Sequence, residues 1–145
     1  MSRSDMAQMD EDLVAAAREV MVRSYSPYSG YRVGAALLTA DGTVVSGCNV
    51  ESVSYGLSMC AERVAVGRAI AGGYREFRAI AVVTDGSEDV TPCGACRQVL
   101  AEFAPNLRVV LEGAGERRVR SLESLLPEPF EAPPNWRAQR DETGT

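Results

Sequence analysis

YRVGAALLTADGTVVSGCNV, residues 31–50, decides the fold class, because two runs of small, apolar and β-branched residues flank Asp41-Gly42. Asp-Gly between such runs is a strong short-range hairpin signal, so 31–39 and 43–50 are expected to be antiparallel neighbours. Downstream, Ala79–Val83 is an uninterrupted apolar run of strand length, the pattern of a strand covered on both faces. A hairpin that shares a sheet with such a strand needs helices on both sides.

The chain supplies those helices. Residues 10–24, DEDLVAAAREVMVRS, put Leu13, Val14, Ala17, Val20 and Met21 on one stripe, with acidic side chains in the first turn. SPYSGY, 26–31, carries turn chemistry in Pro27 and Gly30 and leads into the first strand. Residues 59–71 return to a helical period and stop at Gly72-Gly73, and 92–105 opens with Pro-Cys and closes with Pro105. Leu107–Leu111 and Arg117–Arg120 read as further strands, the second polar enough for an edge, and 121–126 as a short helix. The expected architecture is a three-layer α/β/α sandwich with a mixed sheet of about five strands. It forms a single domain over 1–130, and the Pro-rich, charged 131–145 is expected to be a flexible tail.

Composition narrows the chemistry. At 145 residues, 46% hydrophobic and 24% charged, the chain can bury one core without disulfides or a structural metal. It contains no His, and all 15 basic residues are Arg. Imidazole catalysis, lysine Schiff bases and a P-loop lysine are therefore excluded within one chain, leaving acid-base work to Asp, Glu, Tyr or Cys. A net charge of -5 has the wrong sign for gripping a phosphate backbone, so nucleic acid is not expected as a partner. With no long apolar segment and an acidic, polar start, neither a membrane span nor a signal peptide is expected, and the location is expected to be cytoplasmic.

Three of the four cysteines fall in two segments at expected helix starts, Cys60-Ala61-Glu62-Arg63 and Pro92-Cys93-Gly94-Ala95-Cys96-Arg97. A two-residue gap lets Cys93 and Cys96 meet one tetrahedral ion, with Cys60 arriving from the other helix. Three thiolates with a carboxylate, Glu62, nearby fit a catalytic zinc that keeps one position open. Three thiolates also leave the site negative, so two helix N-termini and the adjacent Arg63 and Arg97 are candidate donors to sulfur, Arg63 the foremost. A redox dithiol would leave Cys60 and Glu62 idle, and a closed structural zinc would need Cys48, which sits mid-strand and reads as a core thiol.

CAER followed by PCGAC resembles the zinc-dependent cytidine deaminases, particularly the small homotetrameric type. YSPYSGYRVGAAL, GCNVES, SYGLSMCAER, TPCGACRQVL and LLPEPF resemble that family in the same order, across roughly residues 10–130. The resemblance implies one Zn²⁺ per chain on Cys60, Cys93 and Cys96, with water in the fourth place facing C4 of the pyrimidine. Glu62 would carry protons from that water to ring N3 and to the departing ammonia. Asn49 and Glu51 would hold the ribose, Tyr31 and Ala61 would line the site, and Phe130 would close over the base. Phe130 and Tyr55 would come from neighbouring subunits of a homotetramer. The implied reaction is hydrolytic deamination of cytidine and 2′-deoxycytidine in pyrimidine salvage. Ser52 departs from the family's usual Asn, and Tyr31 from its usual Phe. A relative acting on another aminopyrimidine, such as blasticidin S, is the alternative substrate class.

Overall fold

The computed structural model describes residues 1–86 and 89–136. In chain order it contains α1 (Arg3–Met21), β1 (Val33–Thr39), β2 (Val44–Cys48), a 3₁₀ turn (Tyr55–Leu57), α2 (Ala61–Ala71), β3 (Phe77–Thr84), α3 (Gly94–Phe103), β4 (Arg108–Glu112), β5 (Arg118–Ser121) and α4 (Leu122–Leu125). The five strands form one sheet in the order β2-β1-β3-β4-β5. Only β3 and β4, linked through α3, run parallel; the other pairs are antiparallel, so the sheet is mixed.

Period-two alternation divides the core. Val33, Ala35 and Leu37 of β1 pack with Ile80, Val82, Val109, α2 and α3 on one face. Ala36 and Leu38 pack with Ala79, Ala81, Val83 and Val110 beneath Leu13, Val14 and Ala17 of α1 on the other. The α/β/α layering follows directly. Two glycines let the covering helices come close: a Cβ at Gly34 would collide with the Ala17 carbonyl, and one at Gly47 would meet the Ala65 amide nitrogen at 2.5 Å. Arg108 ties β4 to α1 through two hydrogen bonds to the buried Asp10, at 2.7 and 3.0 Å.

The hairpin forms as expected, with Leu38 opposite Val44 and Gly42 at φ 93°, where its lack of a Cβ matters. Several boundaries differ from expectation. α1 begins seven residues early, because Ser2 and Asp5 form a capping box ahead of the apolar stripe. β2 stops at Cys48 because the Asn49 side chain turns back to bond Val33 N–H and the Tyr31 carbonyl. α2 and α3 start at Ala61 and Gly94, each with a cysteine as N-cap. Most of the expected tail, 137–145, lies outside the described residues. Ala132 and Trp136, in its first part, line a groove on α3 with Phe130.

Candidate active site

Two helix starts on the same face of the sheet build the centre. Cys60 is the N-cap of α2 and Cys93 the N-cap of α3, while Cys96 lies in the first turn of α3 and is fully buried. The three sulfurs lie within 4.8 Å of one another, the one such convergence of ligand-bearing side chains among the described residues. Cys60 Sγ and Cys93 Sγ are 3.9 Å apart. Two sulfurs on a tetrahedral zinc, each at about 2.3 Å, stand about 3.8 Å from one another, so the donor set fits this ion. Cys48 takes no part in the cluster.

Charge around the cluster favours the thiolate at Cys60. The Cys60 thiol is held down to about 5, first by a hydrogen bond from Cys96 and then by Arg63. Cys96 is pushed up, by its bond to Cys60 and then by burial. Arg63 Nη2 reaches Cys60 Sγ at 3.5 Å and the Ser58 carbonyl at 3.4 Å. Arg97 does otherwise: it donates to the Pro92 and Leu125 carbonyls, each at 2.8 Å. It therefore fixes the backbone entering Cys93 and is not a sulfur donor, which corrects the expectation drawn from its position beside Cys96.

Glu62, in the first turn of α2, is only 4% exposed. Burial pushes its carboxyl above the usual range, and the Cys60 charge adds to the effect. A carboxyl so placed keeps its proton to higher pH than an exposed one, as suits a group that carries protons. It faces a cleft of about 260 Å³ that reaches Cys60 and Cys93 at one end and Asn49 and Glu51 at the other, with Tyr31 and Ala61 along the wall.

Asn49 and Glu51 also brace a loop. The Asn49 amide donates to the Tyr31 carbonyl at 2.8 Å and accepts from Val33 N–H at 2.9 Å and from the Ser24 hydroxyl. Glu51 accepts from the Tyr28 and Ser29 amides at 3.0 and 3.1 Å and from the Ser29 hydroxyl at 2.5 Å. The Ser29 hydroxyl is the foremost cause of its lowered pKa. Ser52 sits in the next turn, its amide donating to Ser58 Oγ at 3.0 Å.

Phe130 does not line this cleft. It is 71% exposed and held by both ends of the Gln98 amide, at 2.9 and 3.0 Å. Tyr55, 75% exposed, packs edge-on against Tyr28 outside the cleft. Sequence reasoning missed Val33, Val90 and Thr91 in the wall. It also missed Ser29, whose stretch carries a turn signal that says nothing of a partner 22 residues on.

Residues 7–112 match the family described as the cytidine and deoxycytidylate deaminase zinc-binding region. The chain belongs to this deaminase family. It is 44% identical over 122 residues to a cytidine deaminase of Sporosarcina psychrophila, covering 83% of this chain and 90% of that one. A crystal structure of cytidine deaminase from Burkholderia pseudomallei superposes with a TM-score of 0.79 at 48% identity, covering 90% of this chain and all of the other. A blasticidin-S deaminase of Bacillus cereus is 30% identical over 135 residues, 88% of this chain and 96% of that protein. The deaminase family binds zinc, and Cys60, Cys93 and Cys96 are the side chains placed to hold it.

Proposed function

We propose that the chain converts cytidine and 2′-deoxycytidine, with water, to uridine and deoxyuridine plus ammonia, as a step of pyrimidine salvage. The observation that carries this reading is the buried Glu62, its carboxyl raised above the usual range, in a cleft that reaches Cys60 and Cys93 of the three-cysteine cluster. A zinc ion on Cys60, Cys93 and Cys96 supplies the Lewis acidity that makes water a competent nucleophile near neutral pH. Glu62 takes a proton from the attacking water and delivers it to ring N3, then takes the second proton from the new C4 hydroxyl and delivers it to the amino group, which leaves as ammonia as the C4–N bond breaks. Arg63 draws charge from Cys60, and Arg97 keeps the Pro92–Cys93 approach in place. Asn49 and Glu51 hold the sugar, while Tyr31 and Ala61 bound the pyrimidine.

The active assembly is a homotetramer in which Phe130 and Tyr55 close sites on neighbouring copies. Support comes from their exposure away from their own chain's cleft, and from the exposed apolar Val53 and Leu57 of the loop that runs into Ser58. The enzyme works in the cytoplasm, where its four cysteines, none in a disulfide, stay reduced. A nucleoside is favoured over blasticidin-type substrates because the Glu51 carboxylate suits an ordinary sugar hydroxyl. The test follows ultraviolet absorbance of cytidine with the wild type and with Glu62→Gln, zinc content being measured on both. Conversion by the wild type and none by a zinc-loaded variant is the expected result. A zinc-loaded wild type inert on both nucleosides overturns it.

A further inference from the structure

Ser29 joins two parts of the cleft without lining it. Its hydroxyl donates to Glu51 Oε2 at 2.5 Å and accepts from the Tyr31 amide at 3.0 Å, and its own amide donates to Glu51 Oε1 at 3.1 Å. Glu51 and Tyr31 both face the cleft; Ser29 does not. A carboxylate in an otherwise open position has two free torsions beyond χ1 and would sample several orientations. Two bonds from one residue, one to each oxygen, restrict it to a single plane and leave the remaining lone pairs directed elsewhere.

We propose that Ser29 is a positioning residue for substrate selection, orienting Glu51 toward the sugar 3′-hydroxyl while fixing the backbone of Tyr31. This rests on the nucleoside reading of the site, in which Glu51 meets the sugar. Gly30, at φ 68°, provides the turn that lets the Ser29 hydroxyl serve both partners. Nothing else among the described residues donates a side-chain hydrogen bond to Glu51, so the hydroxyl has no substitute.

The test compares 2′-deoxycytidine with 2′,3′-dideoxycytidine, which differ only in the 3′-hydroxyl, on zinc-loaded wild type, Ser29→Ala and Ser29→Thr. Ser29→Ala is expected to lose about tenfold in kcat/KM on deoxycytidine, chiefly through KM, since a hydrogen bond to a charged group is removed. On dideoxycytidine, where only the Ser29–Tyr31 contact is lost, the drop should be clearly smaller, and Ser29→Thr should restore deoxycytidine turnover. Equal losses on both substrates reduce Ser29 to a loop brace and overturn the proposal alone. A wild type that treats the two substrates alike overturns the sugar-binding reading of Glu51, and the proposal with it.

Discussion

Cys60 and Cys93 cap different helices, yet their sulfurs lie 3.9 Å apart at one end of the same cleft. Both helix N-termini thus aim at the same thiolates, each contributing about half a positive charge. Replacing Cys96 with Ser is expected to abolish zinc retention, as read by elemental analysis after dialysis. Cys48→Ser should keep one zinc per chain. Loss of zinc in Cys48→Ser would mean a closed four-cysteine site.

Glu62→Gln should retain zinc and lower kcat by about 100- to 10,000-fold, the range ascribed to a positioned proton carrier. Steady-state kinetics at saturating cytidine measures it. An unchanged KM would separate proton transfer from binding.

The raised pKa of Glu62 also fixes a slope of stability with pH in metal-free protein. The folded state holds this proton more tightly than the unfolded chain does, so stability is fullest below the ordinary carboxylate range and declines as pH rises through the raised value. Melting the chelated wild type and Glu62→Gln across that interval should show the decline only in the wild type.

Gly47→Ala would drive a Cβ against the Ala65 amide at 2.5 Å and the Ala61 carbonyl at 2.7 Å. Both are backbone atoms of α2, so the helix must move, at a cost of about 1–3 kcal/mol. A lower melting temperature and weaker zinc retention are expected together, since α2 carries Cys60 at its start.

Gly86→Ala would press on the Tyr31 ring at 2.7 Å and displace a side chain of the cleft wall. KM should rise about fivefold with kcat kept, an effect of ~1 kcal/mol. In a Tyr31→Leu background the same change should do nothing further.

Most of the scaffold was legible because its signals are local. Asp41-Gly42 encodes its own turn, Ala79–Val83 its double burial, and Cys93 and Cys96 their shared ion. What escaped depends on partners remote in sequence. The break after Cys48 comes from Asn49 bonding across to Val33, and the role of Arg97 from carbonyls at Pro92 and Leu125. The early start of α1 is different: Ser2 and Asp5 carried the signal, but no apolar stripe accompanied it.

In the sequence the zinc ligands flank β3, which pairs with β1 on one edge and β4 on the other. Cys60 and Cys93 are 33 residues apart, so only the Cys93–Cys96 half of the site can form within a local stretch of chain. The long-range strand pairings must be made before the third sulfur arrives, and closing such loops is the slow part of folding. Zinc binding is therefore expected to follow assembly of the sheet. Zinc should slow unfolding far more than it speeds refolding.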